Sequence, residues 1–411
     1  MPPLLTAPVF ALSRRDPLAR LGVVVLLALV AAAATIYGLI LAQAASSHQD
    51  LDTYLSAARD LAQGRPLYQA FLHHPFPDPT LRPACIYPVA LVPAALALSA
   101  LPTPAQGWAW LIAMQIALAV AFLLVLRAVR PSLSGGLLAA AATLTFYPLW
   151  VDALQGQANA LILALAVIGV VLVARGRDGG ALLLGAAAAL KLTPILALAW
   201  LAFERRWRAF GLLLAGFLGT TGVGAILRPQ DTLVYFHDVL PQLARGTAYY
   251  SNQSLRGLYD RLFTANPYTY PWLRLGAAPL ATILFAALLL TFWARSLRGH
   301  DPLQRAVAFL PILPLLSSVT WEHHLILLLP LVWMVIFELA RRGWPPAECG
   351  AMIALMAGFD VLARWHPGPA PLSSFFRAAQ TADPLVLLSA NSLVLATLAL
   401  FLLSPWLLRA R

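Results

Sequence analysis

The chain has 411 residues, 60% of them hydrophobic and only 11% charged, and carries a formal net charge of +11, where a soluble domain has roughly a quarter of its residues charged. This composition excludes a soluble enzyme, a disordered chain and a disulfide scaffold, and leaves a polytopic membrane protein. The basic residues sit at the ends of apolar runs rather than in a patch with interleaved aromatics, which excludes nucleic acid as a partner and makes the lipid bilayer the expected environment.

A spanning helix needs about 20 mostly apolar residues. The uncharged stretch between Arg20 and Gln43 predicts the first span, and Arg14, Arg15 and Arg20 before it place the N-terminus in the cytoplasm. Residues 43–84 then break the hydrophobicity with Asp50, Asp52, Asp60, His73 and His74, and form a first external loop. Within it, Asp50 to Gln63 predicts a short interfacial helix closed by Gly64 and Pro66. The run from Pro83 to Leu126 holds two helices broken at Leu101-Pro-Thr-Pro104. Further spans are expected over 131–151, 153–174, 179–203, 209–227, 275–294, 303–320, 324–340, 346–363 and 384–408, for a total of about twelve. The polar stretch 228–272 is a second external loop. Arg127, Arg130, Arg175 and Arg177 fall outside in this count, against the positive-inside rule, unless the 83–126 run crosses only once or a middle loop is re-entrant. The expectation is an all-α bundle, one integral membrane domain over 1–411. Cys85 and Cys349 lie far apart with no metal-ligand spacing around either, so neither a disulfide nor a metal site is expected.

Charges inside apolar segments normally face a cavity or a partner. Lys191 is the sole lysine of the chain and stands in Gly185-Ala-Ala-Ala-Ala-Leu-Lys191-Leu-Thr-Pro194. It reads either as a snorkelling or paired lysine or as the binding charge for an anion such as phosphate, with Pro194 freeing backbone groups nearby. His323 and His324, in Trp321-Glu322-His323-His324, lie between two apolar runs; adjacent residues on a helix point about 100° apart, so one ring at most is expected to face a cavity, with His324 preferred. Gln157 and Asn159 open an apolar run and serve either as interhelical glue or in substrate binding. Asn252, Gln253 and Arg256 belong to the second loop, where the Arg256 fork suits a phosphate and the alternative is a solvated side chain. Asp50 and Asp52 follow the first span and either solvate the loop or supply a general base. Their Asp-Leu-Asp spelling alone is weak evidence for a metal motif.

Read in order, these stretches resemble glycosyltransferase family 87, the polyprenol-phosphate-mannose-dependent transferases. The resemblance is carried by Asp50-Leu-Asp-Thr-Tyr54-Leu-Ser-Ala57-Ala58, Gly64-Arg-Pro-Leu-Tyr68, Tyr87-Pro88 and Gly156-Gln157-Ala-Asn159. It continues through Ala188-Ala-Leu-Lys191-Leu-Thr-Pro194 with Arg205-Arg206-Trp207, then Asn252-Gln253-Ser254-Leu255 and Trp321-Glu322-His323-His324. It implies a GT-C membrane fold and an inverting transfer of a sugar, by default mannose, from a polyprenyl-phosphate donor to a hydroxyl of an envelope glycan or glycolipid. It places that reaction on the outer face of the plasma membrane, and no nucleotide or other cofactor is implied. By the same resemblance Asp50 is the catalytic base, with Lys191, His324, His323 and Arg256 on the donor and Asp52, Tyr54, Gln157, Asn159, Asn252 and Gln253 about the substrates. The competing readings are a transporter or flippase of a lipid-linked sugar, and a non-catalytic envelope subunit. The first calls for matched broken helices in two halves, and no second half matches the Lys-Leu-Thr-Pro segment.

Overall fold

A computed structural model describes residues 17–46, 48–73, 84–276, 278–362 and 384–409. Arg14, Arg15, His74 and Arg411 therefore lie outside the described residues, as does the end of the span expected over 346–363.

The described chain is helical, with no strand among the described residues. Six helical stretches are long and apolar enough to cross a membrane, or seven if one bent pair is taken as a single span, so the expected count of twelve is not confirmed. The chain begins with the long apolar α1 (Pro17–Ala44) and turns into α2 (Gln49–Ala62). Amphipathic α2 buries Leu51, Tyr54, Leu55 and Ala58, an i, i+3, i+4, i+7 stripe, with Asp50 and Asp52 in its first turn and Arg59 in its last. It stops before Gly64, at φ 71°, within one residue of the helix that the sequence predicts.

The 83–126 run breaks near Pro102 as expected, but into unequal parts: α3 (Val92–Ser99) has eight residues, while α4 (Thr103–Val129) is a full span. Next comes the pair α5 (Leu133–Thr145) and α6 (Tyr147–Gln155), bent by 50°. Then α7 (Asn159–Ala174) leads to the expected 179–203 span, which is split at Lys191 into α8 (Ala181–Leu190) and, after a 3₁₀ turn over Thr193–Leu196, α9 (Ala197–Phe203). The span α10 (Trp207–Leu227) packs on α8 with backbones nearly touching: a Cβ on Gly185 would lie 2.1 Å from the Leu213 carbonyl oxygen. Small residues are what permit such close approach between helices in lipid. The second loop contains α11 (Leu255–Phe263). Then follow α12 (Ala278–Ser296), the short pair α13 (Pro302–Phe309) and α14 (Ile312–Leu316), and α15 (Leu329–Arg341), entered through a 3₁₀ segment Glu322–Leu328. The chain ends in α16 (Pro346–Ala357) and α17 (Pro384–Leu407).

Polar contacts sort the helix ends into two groups. At one end Arg206 reaches the Val173 carbonyl and Asp178, Arg305 pairs with Glu204, and Arg342 and Arg409 pair with Glu348. The Ser132–Gly135 turn meets Ala340 there, so the segments carrying Arg127 and Arg130, and Arg175 and Arg177, end on this same side. At the opposite end α2 meets the α6–α7 turn, Asn159 meets His323, Arg228 binds the carbonyls of Leu61 and Arg65, and Gln253 binds Ala390. The conflict over the four arginines thus disappears, because α3 stays at the second end and α4 alone crosses to the first.

Candidate functional site

The turn between α6 and α7 is the hub of the second end. Gly156 adopts φ 68°, and a Cβ there would lie 2.8 Å from the Leu51 Cβ and 2.9 Å from the His48 Cβ. Only glycine tolerates both that backbone and that proximity, and the closeness brings the first turn of α2 onto the hub. Gln157 Nε2 donates a hydrogen bond to Asp50 Oδ2. Its Oε1 accepts from the Tyr54 and Tyr87 hydroxyls, each at 3.1 Å. Two hydroxyl donors fix which way the amide faces, so its nitrogen is committed to the carboxylate. Asp50 is half-buried in the first turn of amphipathic α2, past the break that ends the apolar α1. Burial pushes its carboxyl up to about 6, against the opposing pull of the Gln157 hydrogen bond and the Lys191 charge.

Two residues further on, Asn159 does the corresponding work for a cation. Its Oδ1 accepts from Lys191 Nζ at 2.6 Å, while its Nδ2 donates to Asp152 Oδ1 at 2.7 Å and to the His323 carbonyl at 3.4 Å. Lys191 sits in extended backbone in the break between α8 and the 3₁₀ turn, with Nζ 5.7 Å from the centroid of the Tyr87 ring. Asp50, Asp152 and both histidines lie within its electrostatic reach.

His323 and His324 are both buried, edge-to-face with ring centroids 4.7 Å apart. Among the described residues, His323 Nε2 and both ring nitrogens of His324 have no hydrogen-bond partner. Most buried polar atoms have a partner, and these three lie within the electrostatic reach of Lys191. The neighbouring Glu322 accepts from the Tyr147 hydroxyl at 3.3 Å.

The structure thus brings together Asp50, Tyr54, Gln157, Asn159, Lys191, His323 and His324. The other four residues singled out in the sequence are engaged elsewhere. Asp52 points away, 69% exposed and 3.3 Å from His48, so the two acids of Asp-Leu-Asp do not converge. No group of three His, Cys, Asp or Glu side chains able to hold a metal occurs among the described residues. Arg256 forks onto Asp260 at 2.8 Å. Asn252 is fully buried and spends its amide on the Thr247 and Ser318 carbonyls and on the Thr320 and Ser254 amide groups. Gln253 ties the Tyr250 and Ala390 carbonyls to the Val394 amide. These two amides fasten the second loop to the bundle and to α17.

Asp152 is a buried member of the cluster that the sequence reading passed over. A signal was present: it is a lone acid between two apolar runs, the same argument that singled out Lys191. Tyr87 was noted only as part of a motif, and nothing in its local sequence shows that its hydroxyl reaches Gln157.

The family model of glycosyltransferase family 87 matches residues 86–318. The chain belongs to glycosyltransferase family 87. The matched stretch holds Tyr87, Asp152, Gln157, Asn159 and Lys191 of this family 87 enzyme, whereas Asp50 and the histidine pair flank it. A polyprenol-phosphate-mannose-dependent alpha-(1-2)-phosphatidylinositol pentamannoside mannosyltransferase of Mycobacterium tuberculosis is 28% identical over 328 residues, 76% of this chain and 72% of its own. A polyprenol-phosphate-mannose-dependent alpha-(1-2)-phosphatidylinositol mannoside mannosyltransferase of the same species is 27% identical over 345 residues, 77% of this chain and 76% of its own. A pentamannoside mannosyltransferase of Mycolicibacterium smegmatis is 32% identical over 210 residues, 47% of this chain and 48% of its own. No solved structure matches the chain.

Proposed function

We propose that this glycosyltransferase moves mannose from a polyprenyl-phosphate donor to a hydroxyl of an envelope glycolipid or glycan, with inversion at the sugar carbon. The donor and sugar follow the names of the relatives, which depend on polyprenol-phosphate-mannose and act on phosphatidylinositol mannosides. One observation carries the mechanism: a single turn, Gly156-Gln157-Ala158-Asn159, grips a carboxylate with one amide and a lysine ammonium with the other.

The reaction needs a base for the acceptor hydroxyl and positive charge or donors for the departing phosphate. Half-buried Asp50 takes the hydroxyl proton. The hydroxyl oxygen bonds to the sugar carbon as that carbon's bond to the phosphate oxygen breaks, and the polyprenyl phosphate leaves with the electron pair. Lys191, anchored by Asn159, which Asp152 holds in turn, receives the phosphate, with the unpartnered nitrogens of His323 and His324 beside it. A single displacement of this kind uses one base and inverts the carbon. Asp152 is occupied with Asn159, which leaves Asp50 as the acid free to meet a substrate.

The site faces the outside of the plasma membrane in this reading. Its support is the segregation of charge: the segments carrying Arg127, Arg130, Arg175, Arg177, Arg206, Arg298, Arg341 and Arg409 end opposite the Asp50 cluster, and arginine-rich ends stay in the cytoplasm. The test is transfer by purified protein in liposomes, with polyprenyl-phosphate mannose and arabinose donors and a phosphatidylinositol mannoside acceptor. An inverted mannosidic product is expected. Movement of the donor between leaflets without any product would support the carrier reading instead.

A further inference from the structure

At the arginine-rich end, far along the bundle from Asp50, a cavity of about 360 Å³ is lined by Phe203, Thr291, Ala294, Arg295, Arg298 and Arg305. The three arginines are not equivalent. Arg305 is committed: its Nη2 lies 2.6 Å from Glu204 Oε1, its Nη1 donates to the Leu297 carbonyl, and its guanidinium stacks 5.1 Å from the Trp293 ring. Arg295, in the last turn of α12, and Arg298, just beyond it, are exposed, and neither side chain has a hydrogen bond or ion pair among the described residues. Glu204 cancels Arg305, so the cavity wall keeps two positive charges with no counter-ion.

Arginines at a helix end follow the positive-inside rule and by themselves assign nothing. Here two further observations bear on the same spot. The two arginines without partners line the same half-open cavity as Thr291. The face of α12 that carries Thr291 and Arg295 continues as an exposed apolar stripe through Leu288, Leu284 and Leu280. The rise from Leu284 to Arg295 is about 16 Å at 1.5 Å per residue, close to the roughly 15 Å depth of half a hydrocarbon core. Charge at the headgroup level above an apolar track one leaflet deep matches one ligand shape.

We propose that this cavity binds an anionic phospholipid in the leaflet opposite the Asp50 cluster, with Arg295 and Arg298 on its phosphate and the Leu284–Leu288 stripe along an acyl chain. Basic pockets between membrane helices are suited to such headgroups. A zwitterionic lipid offers the same phosphate with its charge cancelled, and inorganic phosphate offers it without the chain, so these two probes separate the sources of the chemistry. The proposal rests on the bundle's place in a bilayer and not on the transfer reaction.

The full chain, purified in non-ionic detergent, is titrated with phosphatidylglycerol, phosphatidylcholine and inorganic phosphate, and bound lipid is counted by native mass spectrometry. One phosphatidylglycerol is expected to be retained in preference to phosphatidylcholine, and millimolar phosphate should not displace it. Near-surface cations attract anionic lipid by an amount that, for two of them, corresponds to about 30-fold in affinity, so Arg295→Ala/Arg298→Ala should weaken phosphatidylglycerol binding by that order and leave phosphatidylcholine unaffected. Arg295→Lys/Arg298→Lys keeps both charges and should hold most of the affinity, which reads the charge term even if the alanine pair misfolds. Equal phosphatidylglycerol binding by wild type and the alanine pair, or equal loss in the lysine and alanine pairs, overturns the assignment. So does displacement of the lipid by phosphate at comparable concentration, which would make the cavity a plain anion site.

Discussion

Replacing Asp50 with Asn tests the proton acceptor with little change in shape, since Asn Oδ1 can still accept from Gln157 Nε2. A positioned base contributes about 100- to 10,000-fold, so kcat should fall at least about 100-fold at neutral pH. Donor KM should hold nearly steady, because the proposed reaction gives the phosphate to Lys191, held on the other arm of the turn. The pH profile is the sharper measurement. Burial pushes the Asp50 carboxyl up to about 6, so the base is mostly ionised at pH 7 and only about 10% ionised at pH 5. The wild-type rate should therefore drop close to tenfold between those values, with its midpoint near the Asp50 titration. An ordinary carboxyl, at about 3.9, would lose less than about a tenth of the rate over the same range. The Asn variant should show a low rate with no such limb. Gln157→Leu removes a hydrogen bond that favours the ionised form, and should move the midpoint of the limb to higher pH. These rates are measured with radiolabelled polyprenyl-phosphate mannose over pH 4.5 to 8 at saturating acceptor. An Asn variant retaining a tenth or more of the activity, or a wild-type limb centred at the pH of an ordinary carboxyl, would refute Asp50 as the base.

Lys191→Met removes the ammonium and keeps the bulk; donor KM should rise strongly with the melting temperature near that of wild type, and an unchanged KM would make the lysine structural. Asp152→Asn weakens a charge-assisted hydrogen bond of about 1.5–3 kcal/mol that holds Asn159, so kcat/KM should fall about 10- to 100-fold with the pH limb of Asp50 retained; loss of the limb instead would place Asp152 in proton transfer. Gly156→Ala should lower stability by at least about 1–2 kcal/mol from the positive φ alone, and chemical denaturation should also show α2 released, because the new Cβ meets Leu51. A single cysteine at the exposed Asp52 position, in a chain with Cys85 replaced by Ala and Cys349 by Ser, should react with an impermeant maleimide from outside intact cells, while one at Arg208 should react only after permeabilisation; the opposite pattern inverts the proposed orientation.

The sequence made some of this legible for plain reasons. The apolar stripe of α2, its first-turn acids and Gly64 define that helix almost to the residue, because local amphipathicity and a stop signal suffice. Lys191 and Gln157 stood out because buried polarity is costly wherever it falls. Breaks inside apolar runs were harder to see. The split at Lys191 comes three residues before Pro194, and the 83–126 run divides into one short helix and one long one, because lipid-facing length and interior packing are not separable in a run that is apolar all round. Arg256, Asn252 and Gln253 were chemically apt for a substrate, but their partners are Asp260, the Ser318 carbonyl and α17. Asp260 stands four residues after Arg256 on one helix, a spacing that does flag an ion pair, whereas the Ser318 carbonyl and α17 are too distant in sequence to be picked out that way. Asp152 was missed because it fell at the boundary drawn between two spans.

The anchoring of α2 also has a consequence for the order in which the enzyme can assemble. Asp50 is made early, but its seat at Gly156 and Gln157 and the Arg228 clamp on the far end of its helix are made much later. The 178 residues from Asp50 to Arg228 take roughly 9 to 36 s at about 5–20 residues per second. Its main helical neighbour, α3, follows soon after it in the chain, so over most of that interval the apolar stripe has only α3 and the membrane surface to rest on. Asp50 therefore meets Gly156 and Gln157 only when α2, already formed, docks on the middle of the chain after that part has been inserted. Chains arrested before Arg228 should carry α2 open to a protease that spares it in the finished protein.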